Sequence, residues 1–180
     1  MISNNYLKSS TNEDDVGVQV EVEGLDQDND DLDTYKIRLV QESWQKVLDI
    51  GLEQFGVDFF KKIFFAHPEL LSYFPFSNDP DYLDSEAFLK HTMKVAKSIH
   101  SAVDLLEDLE TLAPVLKKLG LKHKKLGIKK EYYPMVLNAL IGTLSETLLD
   151  DFKPHVKKAW SLVGNLVAES MISDHYQMND

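Results

Sequence analysis

The chain has 180 residues, with 30 Asp and Glu against 19 Lys and Arg, a formal net charge of −11 and a pI near 4.9. That length fits one compact domain with an appendage, and an apolar content of 43% excludes a disordered or collagen-like chain. The acidic balance argues against a nucleic-acid partner, and the absence of cysteine excludes disulfides, thiolate metal sites and a cysteine nucleophile.

Residues 1–35 hold ten of the acids and a single base, Lys8, so this segment carries −9 and residues 36–180 only −2. It lacks Phe and Trp and has few large aliphatic residues, too little to offset the entropy of ordering by burial. It therefore reads as a flexible acidic N-terminal tail. Val18, Val20 and Val22 alternate with polar residues, a weak strand signal with no partner strand. Asp26-Gln27-Asp28-Asn29-Asp30 has the opening of a calcium loop, but the sixth and twelfth places are Asp31 and Ile37 instead of Gly and Glu, so calcium is not expected. No apolar run approaches the ~20 residues that span a bilayer. The first residues show neither a secretory pattern nor Gly at position 2, so a cytoplasmic protein without a membrane partner is expected.

From Lys36 the pattern is helical. Ile37, Val40, Trp44, Val47 and Leu48 form one stripe, and Leu52, Phe55, Phe59 and Ile63 a second. Pro68 opens a short helical turn, Asn78-Asp79-Pro80-Asp81 is a loop, and Asp84 or Ser85 caps a helix over about 85–106. Further helices are expected over about 109–123, 131–149 and 153–173, with Pro114 kinking or opening the first and Pro134 in the first turn of the second. The fold class is all-α: a tail over 1–35, a helical domain over 36–175 and a short C-terminal tail over 176–180.

Two of the six histidines lie on apolar stripes. His91 shares a stripe with Phe88, Val95 and Ala102, and His123 continues the series Leu109, Leu112, Leu116, Leu119. Two core histidines satisfied by hydrogen bonds are one reading. Two neutral imidazoles on opposite sides of one metal, a ligand type suited to haem iron, are the other. Phe59, Phe60, Phe64, Phe65, Phe74 and Phe76 offer flat apolar walls for a planar group, or simply a core. His67, His100, His155 and His175 are assigned no chemistry, with His100 at a surface or boundary position.

An ordered set of segments resembles the globin family over about residues 36–173. Leu39-Val40-Gln41-Glu42-Ser43-Trp44 is similar to its first helix, Phe60 and Phe64 to the haem-facing side of the second, and Pro68 to the start of the third. Phe74 resembles the Phe that packs on the porphyrin, His91 with Val95 the distal histidine and its apolar neighbour, and Leu119–Ile128 the proximal segment. Tyr132-Tyr133 and Ala159-Trp160 are similar to the last two long helices. The 17 residues from Phe74 to His91 leave little room for an extra helix, and the details look closer to neuroglobins and non-symbiotic plant haemoglobins.

The resemblance implies a three-over-three helical sandwich around haem b, with His123 as fixed axial ligand and Phe60, Phe74, Val95, Ile128 and Tyr133 as haem contacts. The second ring nitrogen of His123 is then expected to donate to the Leu119 carbonyl. Lys122 replaces a serine that assists the proximal ligand in some globins, and Lys94 is placed to reach a haem propionate. His91 either donates a hydrogen bond to bound dioxygen or ligates the iron itself. Phe60 favours direct ligation, since family members with Phe there are often six-coordinate. The implied ligands are O2, NO or CO in a sensing, redox or scavenging role, in a monomer or homodimer. The alternatives are an NO dioxygenase or nitrite reductase served by an external reductase, and a helical interaction module that has lost haem.

Overall fold

Five α-helices carry most of residues 32–177, the part of the chain described by a computed structural model. The acidic residues 1–31, with the alternating valines and the calcium-loop look-alike, lie outside the described residues, as do 178–180. The helices are α1 (Thr34–Ala66), α2 (Glu86–Asp104), α3 (Leu109–Lys125), α4 (Tyr132–Leu148) and α5 (Pro154–Gln177), with short 3-10 turns at Pro68–Tyr73, Tyr82–Asp84 and Leu149–Asp151. No strand occurs among the described residues. The architecture is the expected all-α sandwich: α1 packs on α2, α4 and α5, α4 also packs on α5, and α3 leans on α5.

Local chemistry sets most of the boundaries. The side chain of Asp33 accepts from the Lys36 amide at 2.8 Å, so α1 begins at Thr34, two residues before the expected start at Lys36. That hydrogen bond also holds the Asp33 carboxyl below its usual range. Of the two candidate caps before α2 the structure selects Ser85, whose hydroxyl accepts from the Phe88 amide at 3.2 Å. Asp108 caps α3 by accepting from the Thr111 amide at 3.0 Å, and Pro114 is accommodated inside the helix instead of opening it. The two stripes expected before residue 66 belong to one long element broken at Gly51, whose φ of 142° is open to glycine. At the end of α4, Leu149 takes φ 51° and ψ −122°.

Two apolar clusters form the core. The first joins Val40, Trp44, Val47 and Phe55 of α1 to Leu144 and Leu148 of α4 and to Val156, Trp160 and Val163 of α5. The Trp44 and Trp160 rings lie 5.8 Å apart, and both indole N–H groups are satisfied. Trp160 donates to Ser43 Oγ at 2.9 Å, and Trp44 donates to His100 Nδ1 at 3.3 Å, which makes His100 a boundary residue as expected. The second cluster gathers Phe59, Phe60, Ile63, Phe64, Leu70, Phe76, Phe88 and Ala139.

Two glycines permit close helix crossings. A Cβ on Gly56 would sit 2.8 Å from the Thr92 carbonyl oxygen where α1 crosses α2, and one on Gly120 would overlap the Met171 carbonyl where α3 crosses α5.

Candidate functional site

The second cluster positions the first imidazole. Phe60 and Phe64 stand one turn apart on α1, and the turns after Pro68 return the chain so that Phe74 and Phe76 meet them, at 5.7 Å for Phe60–Phe74 and 6.3 Å for Phe64–Phe76. His91, in the second turn of α2, enters this group edge-on. Its ring lies 5.2 Å from Phe60, 5.1 Å from Phe74 and 6.2 Å from Phe76. Neither nitrogen of His91 has a hydrogen-bond partner among the described residues, although the ring is half-buried. Burial is the main reason this imidazole stays below its ordinary pKa, with the charges of Lys94 and His123 adding to the effect. It is therefore neutral at pH 7.

His123 lies in the last turn of α3, and its Nδ1 is 3.0 Å from the Leu119 carbonyl oxygen one turn back. That acceptor requires the Nδ1–H tautomer, which leaves the Nε2 lone pair uncommitted. Burial again dominates in lowering its pKa, the Leu119 carbonyl opposes it, and Lys122 lowers it further. The Tyr133 ring lies 6.3 Å from His123. The Ile128 amide donates to the His123 carbonyl at 3.1 Å, and the Ile128 carbonyl accepts from Tyr176 Oη at 2.9 Å. Tyr133 and Tyr176 hydroxyls meet at 3.4 Å, and burial pushes the Tyr133 hydroxyl well above its usual pKa.

The expected site residues thus fall into two groups. Phe60, Phe74 and His91 touch one another, and His123 neighbours Tyr133 and Ile128. Val95, one turn beyond His91, packs on the second cluster. Lys94 is exposed and lines a cleft of about 1120 Å³ that separates α2 from α3. Leu89, Met93 and Ala102 line it from α2, Leu105 from just past the end of that helix, and Leu112, Leu116 and Leu119 from α3. The two imidazoles are not themselves among the lining groups, whereas Lys90 and Lys122, next to them in the chain, are.

Three expectations need correction. Phe65 is 91% exposed and forms no wall, because the second cluster takes up the opposite face of α1 through Phe60, Ile63 and Phe64. Leu109, the first residue of α3 after the Asp108 cap, is 51% exposed, so the buried stripe starts at Leu112. The C-terminal tail expected over 176–180 begins too early: α5 runs through Gln177 and Tyr176 is bonded into the site. Tyr176 stands one helical turn after Ile172, and that spacing is the signal that could have retained it. His175 has no described side chain.

The model of the globin family matches residues 57–171. Neuroglobin of Danio rerio is 31% identical over 137 residues, spanning 74% of this chain and 86% of the relative, and neuroglobin of Tetraodon nigroviridis is 33% identical over the same shares. A flavohemoprotein of Bacillus thuringiensis is 30% identical over 131 residues, 71% of this chain but only 30% of the relative. Among solved structures, a crystal structure of a hexacoordinated heme protein from an anhydrobiotic tardigrade superposes with a TM-score of 0.71 at 21% identity, covering 78% of this chain and 92% of the other.

Proposed function

The chain belongs to the globin family, and on that premise we propose that it holds haem b between α2 and α3 and binds O2, NO or CO in an intracellular sensing, redox or scavenging role. One observation carries the reading: two neutral imidazoles on facing helices, one with its Nε2 left free by the 3.0 Å contact to Leu119 and the other without a hydrogen-bond partner among the described residues.

The donor set fits the group. Among the described residues no cluster of three or more His, Asp and Glu could hold a bare metal ion, so two imidazoles would suit a metal that arrives already bound within a cofactor. Haem would carry its iron within the cofactor, leave the two imidazoles to hold it, and supply reversible coordination of diatomic gases. In this reading His123 is the fixed ligand, oriented by Leu119. Phe60 and Phe74 hold the His91 ring edge-on, Val95, Ile128 and Tyr133 supply apolar contact, and Lys94 offers a cation at the mouth for a carboxylate.

Phe60 also favours a role for His91 as a ligand that would hold the haem iron over a hydrogen-bonding role. It brings no hydroxyl to compete, and burial keeps the His91 lone pair available by disfavouring its protonation. The absorption spectrum tests both levels. Sharp, split visible bands in the ferrous protein without added gas are expected, and His91→Leu should convert them to one broad band. No Soret band after haem is added would overturn the whole reading, and a spectrum indifferent to His91→Leu would remove His91 as ligand.

A second reading, favoured by the flavohemoprotein similarity, is NO dioxygenase or nitrite reductase chemistry served by an external electron donor. Stopped-flow mixing of the oxygenated protein with NO, with and without a supplied electron donor, separates the two. Turnover beyond one equivalent only with the donor favours the enzyme.

A further inference from the structure

The cleft between α2 and α3 is rimmed by lysines. Lys90, Lys94 and Lys97 stand about a turn apart along α2, and Lys118, Lys122 and Lys125 line the cleft from α3; all six are exposed. Lys90 pairs with Glu86 at 2.6 Å, and the other five have no ion pair among the described residues. The lining contains only two acids, Glu53 and Glu86. Like charges this closely spaced repel, and the two propionates of a haem would leave most of them without a counter-charge. Six of the 19 Lys and Arg of a chain whose net charge is −11 thus line one opening.

The matching anions lie in the same chain. Residues 21–31 carry Glu21, Glu23, Asp26, Asp28, Asp30 and Asp31 and no base. The described chain begins at Leu32, which packs on the first core cluster; Val103 and Leu105, at the C-terminal end of α2, belong to or pack on the same cluster, and Gln41 Nε2 donates to the Val103 carbonyl at 3.5 Å. Leu105 lines the cleft. The 19-residue α2 is about 28 Å long, and eleven extended residues reach about 36 Å.

We propose that residues 21–31 dock along the lysine rim of the α2–α3 cleft of their own chain, acid against lysine. Each exposed pair contributes only about 0.2–1 kcal/mol, but tethering gives the segment an effective concentration on the order of millimolar, so several weak pairs suffice. Such an association is sensitive to salt, because the Debye length falls from about 30 Å at 0.01 M to about 3 Å at 1 M.

Zero-length carbodiimide coupling of the full chain tests this, on an equal mixture of ¹⁴N and ¹⁵N protein with the linked peptides read by mass spectrometry. The expected result is amide links from acids of 21–31 to Lys97, Lys118 or Lys125 within single-isotope chains at about 0.01 M salt, lost at about 1 M. A full-length variant carrying D26N, D28N, D30N and D31N should show acetylation of Lys97, Lys118 and Lys125 raised about threefold, as for a segment docked two-thirds of the time. Lys117, on the same helix but outside the lining, should not change. Absence of these links, links only between isotopes (a second copy as occupant), links that persist at high salt, or unchanged lysine reactivity would each overturn the proposal.

Discussion

At the scale of single residues, the proposed haem site rests on two imidazoles kept neutral. The folded chain holds His91 and His123 below their ordinary pKa of about 6.5, chiefly by burial, so folding and protonation at these positions oppose each other. Above about pH 7.5 the two states bind nearly the same protons and stability is unaffected; as pH falls through about 6.5, the unfolded chain takes up protons that the folded one resists. The urea midpoint of the haem-free protein should therefore drop between about pH 7.5 and 5.5, and by less in a His91→Gln, His123→Gln variant; an equal drop in the variant would place the proton uptake elsewhere. Phe60→Tyr adds a hydroxyl beside a ring 5.2 Å from His91, and the ferrous spectrum should shift partly towards the single broad band. Tyr176→Phe removes the bond to the Ile128 carbonyl and should cost about 1 kcal/mol by urea titration.

Elements translate these residues into positions. Gly120 lets α3 approach α5 so closely that an added methyl group meets the backbone of Met171, which cannot swing aside as a side chain can. Gly120→Ala should lower stability by about 1–3 kcal/mol, and a change under a few tenths would show that the crossing is looser than it looks. Helices α2 to α5 are legible in the chain because Ser85, Asp108, Pro134 and Pro154 lie at or near their N-terminal ends. The bend in α1 is not, because Gly51 is a mid-chain glycine whose φ depends on how two stripes meet two different clusters. Likewise Phe65 and Phe64 are the same residue type side by side; only the packing of α1 decides which is buried.

For the whole molecule, helix spacing makes Phe60, His91 and His123 visible as inward-facing groups, whereas the cleft and the ring of lysines around it exist only once α2 and α3 face each other. A group that binds the folded chain alone stabilises it by mass action, by about 4 kcal/mol at a thousand times its dissociation constant. The haem-loaded protein should accordingly melt well above the haem-free form, and equal melting temperatures would argue against a site built into the fold. The turn after α4 shows that the molecule is not at its stability maximum. Leu149 holds φ 51° and ψ −122°, a region costing a non-glycine residue about 1–3 kcal/mol, while its side chain is 73% exposed and recovers little by burial. Leu149→Gly relieves that strain but gains the greater unfolded-state freedom of glycine, about 0.5–1 kcal/mol. The net expectation is a stabilisation of about 1 kcal/mol, or roughly 2–4 °C in melting temperature. At this position ordinary sequence drift, held only to a threshold, has left thermal margin that one substitution would recover.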